Sequence, residues 1–238
     1  MLFDGNHIVD EIMLLTGANP RSAINKAYSR LNVHEGAYVV TTGYGRNLLK
    51  ESDKKVTEIT CHGRGASYLS KEISAVIDIG GQDSKVILLD KDKNIVDFLM
   101  NDKCAAGTGR FIEVIMRILQ HDIDDIDEYI RDVTPTKISS MCTVFAESEV
   151  ISLLSEDVSG NSIAMGLIDS ICERTSIFSK RLPLQGKVFF SGGLAKSDII
   201  KSVLENKLKL EVVTHPMSQY VGAIGAAVIG FERMNIQK

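Results

Sequence analysis

Apolar and polar residues alternate along the chain in patterns typical of short strands and amphipathic helices. An apolar run from Ser74 to Ile79, broken by one aspartate, indicates a buried strand. Two further apolar runs, Ser84–Asp90 and Asn94–Met100, flank a polar turn and predict two more strands. Apolar residues then recur at helical spacing from Phe111 to Leu119. This part of the chain is therefore predicted to form a three-stranded meander followed by a helix.

Similar patterns lie on both sides of the meander. Before it, the sequence predicts strands at His7–Thr16 and Ala37–Thr42 and a helix at Cys61–Glu72. A helix at Asn19–Leu31 is expected to start with Asn19 as its N-cap and Pro20 at its first position. After the meander, the pattern predicts helices and strands at Thr143–Ser155, Ser162–Leu182, Lys187–Ser191, Ser197–Leu208, Leu210–Thr214 and Gln219–Phe231, of which Lys187–Ser191 and Leu210–Thr214 are the strands.

The two halves of the chain resemble each other. Leu2–Asp10 and Leu88–Asp97 each read as a hairpin with Ile-Val-Asp on its second arm. In the second half, a strand that ends in Asp78-Ile79-Gly80-Gly81 precedes this hairpin, and in the first half nothing does. The repeat predicts a duplicated β-β-β-α-β unit whose first copy lacks its first strand and glycine turn. Chance similarity of two short hairpins is the alternative.

Composition and charge restrict the class of protein. With 238 residues and 44% hydrophobic content, the chain can bury a sizeable core in one large or two small domains. A net charge of −4 argues against a nucleic-acid surface, and no apolar segment is long enough to suggest a signal peptide or a membrane span. The four cysteines lack the density of a secreted disulfide scaffold. We expect a cytoplasmic protein that binds neither nucleic acid nor membrane.

Cys104 lies directly before the small-residue turn Ala105–Gly109, which leads into a predicted helix. A thiol near the positive end of a helix is stabilised as the thiolate, the form that ligates metals or attacks substrates. The glycines of the turn let the backbone approach an anion closely. A buried structural cysteine at a glycine-rich helix start explains this stretch equally well.

Several motifs follow one another over nearly the whole chain: Val76–Lys85, Asn101–Phe111, Ser139–Glu149, Phe190–Ala195 and Gln219–Ala227. Together they resemble the activator ATPases of 2-hydroxyacyl-CoA dehydratases and the related ATPase subunits of benzoyl-CoA reductases, within the actin, sugar-kinase and heat-shock-70 ATPase superfamily. The resemblance implies an α/β fold of two duplicated ribonuclease-H-like lobes, the first of them truncated. The expected boundaries are 1–73 for the first lobe and 74–218 for the second, with the helix 219–238 packing near the lobe boundary.

The same resemblance implies an iron–sulfur site. In the family, each subunit of a homodimer gives two cysteines to one [4Fe-4S] cluster, and the matching positions here are Cys104 and Cys142. Their separation fits no single-chain Cys-x-x-Cys motif, so two ligands per chain need a second chain to reach four. Cys61 and Cys172 are predicted to be buried structural residues.

The resemblance also implies that the glycine turns bind ATP and Mg²⁺. Asp78 would reach Mg²⁺ or its water while the amides of Gly80 and Gly81 meet phosphate. Gln82 would orient the attacking water or contact the γ-phosphate. Gly107 and Gly109 either line phosphate or only turn the chain. Further contacts to the nucleotide are expected from Gly192, Gly193 and Gln219. Without the resemblance, an ordinary tight turn with a polar tip would explain the stretch after Asp78.

The implied function is that of an ATP hydrolase that gates electron transfer in an anaerobe. A low-potential electron would pass from the cluster to a dehydratase or reductase partner, and a ferredoxin or flavodoxin would reload the cluster. Relatives begin with a strand carrying an Asp-x-Gly-Ser-type turn that this chain starts after, so we expect weak ATP binding and slow hydrolysis. Two alternatives stay open: a small-molecule or sugar kinase, which would have no use for Cys104 and Cys142, and a non-hydrolysing module that keeps the cluster and the dimer.

Overall fold

The computed structural model describes residues 1–103, 105–139 and 143–236. Its backbone divides into two compact units, which are described separately. Unit 1 comprises Met1–Lys71, Lys93–Ile95 and Tyr220–Lys238, and unit 2 comprises Glu72–Asp92 and Val96–Gln219. Among the described residues, no helix combines the length and the apolar character needed to cross a bilayer.

The described strands of unit 1 form two separate pairs. Strand β1 (Leu2–Phe3) pairs antiparallel with β2 (Ile8–Asp10), and β3 (Val40–Thr41) pairs parallel with β4 (Lys54–Lys55). The predicted strands at 7–16 and 37–42 are therefore wrong over most of their length. Each neighbouring strand offers only two residues for pairing, so the ladder of hydrogen bonds ends early.

The first two helices of unit 1 begin at polar caps. Helix α1 (Pro20–Arg30) starts as predicted, because the Asn19 side chain accepts a hydrogen bond from the Ser22 amide at 3.1 Å. Helix α2 (Glu58–Leu69) starts before the predicted position, because the Thr57 hydroxyl caps it by accepting from the Thr60 amide at 3.3 Å. The capping residue, rather than the first apolar residue, thus decides where each helix begins.

Helix α2 packs against the long C-terminal helix of unit 1, Val221–Ile236, and this close packing depends on glycine. A Cβ atom on Gly65 would lie 2.0 Å from the Val221 carbonyl oxygen, and one on Gly225 would lie 1.8 Å from the Cys61 carbonyl oxygen. Cys61 is fully buried at this crossing, as predicted, and burial raises the pKa of its thiol to about 11.

Unit 2 is built on a mixed five-stranded sheet with the order β7-β6-β5-β8-β9. Its strands are β5 (Ile73–Ile79), β6 (Ser84–Leu89), β7 (Ile95–Asn101), β8 (Lys187–Ser191) and β9 (Val212–Val213). Strand β5 pairs antiparallel with β6 and parallel with β8, which in turn pairs parallel with β9. The predicted three-stranded meander is confirmed, and its first strand is central and buried.

The helices of unit 2 cover this sheet. They are α3 (Gly109–Ile118), α4 (Ile126–Tyr129), α5 (Thr143–Ser155), α6 (Gly160–Ser179) and α7 (Asp198–Leu208), so the C-terminal helix of unit 1 is α8. Fully buried residues of α3 and α6, such as Phe111 and Ile171, pack in one core with Ile77 of β5. Cys172 is part of this core, as predicted, and burial raises the pKa of its thiol to about 12.

Candidate functional site

Two glycine turns follow neighbouring parallel strands of unit 2. Strand β5 ends at Ile79 and continues into Gly80–Gly81, and β8 ends at Ser191 and continues into Gly192–Gly193. Because β5 and β8 are adjacent and parallel, with Asp78 opposite Ser191, both turns lie at the same edge of the sheet. Open α/β sheets commonly bind ligands at the carboxyl ends of their strands.

The second turn requires glycine at its first position. Gly192 has a φ of +99°, and a Cβ atom there would lie 2.2 Å from the Ile79 carbonyl oxygen. Its amide donates to the Ser218 carbonyl at 3.3 Å, which ties the turn to the 3₁₀ turn that contains Gln219. The Gln219 amide nitrogen lies 3.7 Å from the position of a Cβ on Gly193, so these two exposed residues are neighbours.

The first turn joins β5 to β6 and is hydrogen-bonded to the start of α3. The Gly80 amide donates to the Asp83 carbonyl at 2.9 Å, and the Gly80 carbonyl accepts from the Gly109 amide at 2.8 Å. A Cβ atom on Gly81 would meet no atom of the described chain within 4 Å, and Gln82 is exposed. Gly81 and Gln82 thus form the open outer face of the turn, where backbone amides can approach an anion.

A cavity of about 360 Å³ lies between the two turns and the start of α3. The predicted residues that line it are Gly80, Gly81, Gly109, Gly193 and Gln219. Thr108, the N-cap residue of α3, directs its hydroxyl to the Ala105 carbonyl at 2.8 Å instead of capping the helix. The cavity therefore combines open glycine backbone with a helix N-terminus, two features that favour a bound phosphate group.

A buried ionic cluster lies at the base of the first turn. The side chains of Asp78 and Lys85 are 5% and 1% exposed, and the Lys85 Nζ atom lies 3.2 Å from Asp78 Oδ2 and 2.5 Å from Asp83 Oδ1. The Ser191 hydroxyl donates to Asp78 Oδ1 at 2.7 Å. Asp78, Gln82, Gly107 and Gly192 lie outside the lining of the cavity, so the structure brings five of the predicted residues together there and places these four beside them.

Comparisons with known proteins identify the family. The BadF/BadG/BcrA/BcrD ATPase family matches residues 17–230. The chain belongs to this ATPase family. A protein from Escherichia coli, YjiL, is 48% identical over 97% of this chain and 91% of its own length. The activator of lactoyl-CoA dehydratase from Anaerotignum propionicum is 43% identical over 98% of this chain and 92% of its own length.

A solved structure is similar to the chain over nearly its full length. The activator of the 2-hydroxyisocaproyl-CoA dehydratase from Clostridium difficile, with bound ADPNP, superposes with a TM-score of 0.90. It is 37% identical, and the match covers 99% of this chain and 90% of that one. The predicted family and the predicted α/β fold of the actin-like ATPase superfamily are therefore confirmed.

In this ATPase, the two predicted cluster ligands, Cys104 and Cys142, lie outside the described residues. The helices that follow them in the sequence are described: a 3₁₀ turn at Ala105–Gly107 leads into α3, and α5 begins at Thr143. A Cβ atom on Gly107 would lie 3.1 Å from the Asn101 side-chain nitrogen, so this glycine packs closely beside the end of β7. The ligand role of both cysteines stays a prediction.

Sequence reasoning missed several charged residues that line the cavity. Arg110, at the start of α3, forms an ion pair with Glu113 at 3.0 Å, and Lys196 is exposed in the turn after Gly193. Asp127 accepts hydrogen bonds from the Ser197 hydroxyl and, at 3.0 Å, from the Asp198 amide, which fixes the start of α7. Arg110 belongs to a motif singled out above, so its place in that motif was an available signal.

Proposed function

We propose that this protein is an ATP-dependent activator that passes a low-potential electron from a [4Fe-4S] cluster to a 2-hydroxyacyl-CoA dehydratase or to a benzoyl-CoA reductase type of enzyme. Membership of the ATPase family and the names of the dehydratase activators that resemble the chain support this proposal. The convergence of two glycine turns and the N-terminus of α3 on one cavity is the single structural observation that supports its nucleotide-dependent part.

ATP and Mg²⁺ fit the chemistry of this cavity. The amides of Gly80 and Gly81 and the start of α3 would hold the phosphates, while Gly193 and Gln219 would lie against the rest of the nucleotide. Gln82, exposed at the tip of the turn, would position water for hydrolysis. Asp78, which is buried against Lys85 and Ser191 outside the cavity lining, would keep the turn in position beside Mg²⁺ and the phosphates. Bound ATP would favour whichever arrangement of the protein it binds more tightly.

The cluster would be held by Cys104 and Cys142 of two chains in a homodimer. Four thiolates complete a [4Fe-4S] cluster, and each chain offers two at the proposed positions. Cys61 and Cys172 are poor alternatives, since both are fully buried and burial raises the pKa of each thiol far above neutral pH. A ferredoxin or flavodoxin would deliver the electron that the cluster stores.

Substituting the proposed ligands tests the cluster assignment. Cys104→Ala or Cys142→Ala should abolish iron binding in anaerobically purified protein, because each substitution removes two of the four thiolates of a dimer. Cys172→Ala is the matched control, since it removes a buried thiol of the core and should leave the iron content unchanged. The measurements are iron per chain and the visible absorbance of the protein.

Iron retained at the wild-type level in either ligand variant would rule out the assignment. A colourless, iron-free wild-type protein that phosphorylates a small molecule would instead favour the sugar-kinase alternative. Reduction of a purified dehydratase by the reduced wild-type protein, dependent on MgATP, would support the electron-transfer step directly.

A further inference from the structure

Lys85 is a buried lysine without a predicted role. Its side chain is 1% exposed on β6, and its ammonium group contacts the carboxylates of both Asp78 and Asp83. Lysine is almost never fully buried unless it is paired. We propose that Lys85 is a positioning residue that holds the Gly80–Asp83 turn against the start of α3. A nucleotide bound at the turn would thereby change the position of α3, the helix that follows Cys104 in the sequence. This inference rests on the proposed function.

The first step concerns how Lys85 fixes the turn. Asp78 precedes the turn on β5 and Asp83 ends it, and the β5–β6 register places Asp78 directly opposite Lys85. One ammonium group therefore connects the two ends of the turn, at 3.2 Å to Asp78 and 2.5 Å to Asp83. Breaking a buried ion pair leaves an uncompensated charge in the interior, which is strongly unfavourable. The ends of the turn are thus held together by an interaction that is difficult to break.

The second step concerns what the held turn contacts. Asp83, bound through its side chain to Lys85, also accepts the Gly80 amide through its carbonyl at 2.9 Å. Gly80 in turn accepts the amide of Gly109, the first residue of α3, at 2.8 Å. A continuous set of bonds therefore runs from Lys85 through the turn to the helix that follows Cys104.

The third step concerns the parallel strand β8. The Ser191 hydroxyl donates to Asp78 Oδ1 at 2.7 Å, and Ser191 directly precedes Gly192 of the second turn. The carboxylate of Asp78 thus contacts Lys85 with one oxygen and Ser191 with the other. The buried ionic cluster around Lys85 therefore connects both glycine turns of the cavity with the start of α3. A nucleotide that prefers one position of the turns can bias α3 through contacts of this kind.

The test uses the anaerobic protein with Lys85→Met, which removes the charge and keeps an unbranched side chain of similar, slightly shorter length. Two properties are measured: the Kd for MgADP, and the rate at which a strong chelator removes iron, with and without saturating MgADP. Lys91→Met is the matched control, because Lys91 is exposed in the turn between β6 and β7. Asp83→Asn is a milder second variant that keeps Lys85 and its contact with Asp78.

Lys85→Met should keep the wild-type iron content but weaken MgADP binding by about tenfold, and it should abolish most of the nucleotide-dependent change in chelation rate. Asp83→Asn should shift both properties in the same direction, and Lys91→Met should shift neither. If Lys85→Met lowers only the unfolding temperature while the chelation response stays as in the wild type, Lys85 is merely structural and the inference is wrong. If Lys85→Met fails to fold, an unchanged response in Asp83→Asn overturns it. A wild-type protein without iron or without MgADP binding would instead contradict the proposed function.

Discussion

Gln82 and Asp78 differ sharply in their surroundings although both belong to the first glycine turn region. Gln82 is exposed at the tip, whereas Asp78 is buried among Lys85 and Ser191. An exposed amide can move toward a ligand at little cost, while the Asp78 carboxylate is held by contacts with Lys85 and Ser191. The two residues are therefore expected to contribute at different stages: Gln82 in the transition state, and Asp78 in keeping the site in shape.

Gln82→Ala should lower ATP turnover by about tenfold or more while MgADPNP binding changes little. A group that positions water acts mainly in the transition state, whereas backbone amides bind phosphate in the ground state as well. The measurements are kcat for MgATP hydrolysis and the Kd for MgADPNP. Gln185→Ala, an exposed glutamine in the turn before β8, is the control. If turnover and binding fall together, Gln82 is a binding group and its proposed role is wrong.

At the scale of elements, the position where β8 turns into the cavity depends on one glycine. Gly192→Ala should destabilise unit 2, because alanine is strained at a φ of +99° and its Cβ would lie 2.2 Å from the Ile79 carbonyl oxygen. Such strain costs about 1–3 kcal/mol before the clash itself is counted. Thermal unfolding of the iron-free protein measures the effect, and a lowered unfolding temperature is expected.

Gly81→Ala is the matched control for stability, since a Cβ there meets nothing of the described chain within 4 Å. Its unfolding temperature in the absence of nucleotide should stay close to that of the wild type. Equal unfolding temperatures for the two alanine variants would mean that β5 and β8 can separate freely at this edge, which contradicts the close approach described above.

Element prediction from the sequence succeeded where the local signal was complete. Asn19 and Pro20 fixed the start of α1, and the glycine turn after Ile79 fixed the β5–β6 hairpin. It was wrong for the predicted strand at 7–16, which pairs only at Ile8–Asp10, because the length of a strand depends on its partner and not on its own pattern. It was also inaccurate for α2, where Thr57 was overlooked as a cap.

The residues of the candidate site could also be predicted only where a local sequence motif marks them. Five residues that belong to the sequence motifs line one cavity: Gly80, Gly81, Gly109, Gly193 and Gln219. Lys85 was inside a motif but received no role, since its burial follows from the register of β5, β6 and β8 rather than from composition. The Asp78–Ser191 contact joins residues far apart in the sequence, which no local pattern can reveal.

At the scale of the whole molecule, each of the two units contains a pair of neighbouring strands joined by a short turn and a parallel pair of strands. Unit 1 has an antiparallel hairpin, β1–β2, and a parallel pair, β3–β4. Unit 2 has the neighbouring strands β6 and β7 and the parallel pair β8–β9, joined through β5 into one sheet. The repeated Ile-Val-Asp forms β2 and the start of β7. Both copies of the repeated segment thus form strands, and duplication of the whole unit stays a prediction.

The number of iron atoms per chain tests whether the cluster joins two copies of this molecule. If Cys104 and Cys142 of two chains share one [4Fe-4S] cluster, the anaerobic protein should hold about two iron atoms per chain. Its mass in solution should be about twice the 26.1 kDa of one chain. The measurements are iron and protein determination together with light scattering on the same sample.

Removing the iron with a chelator should weaken the dimer, because a ligand that binds only the associated state stabilises that state by mass action. The Cys172→Ala variant, which keeps both proposed ligands, should behave as the wild type in each measurement. Four iron atoms per chain in a monomer would show that one chain completes the cluster alone. Because the proposed positions supply only two thiolates per chain, that result would require other ligands and would contradict the bridging arrangement.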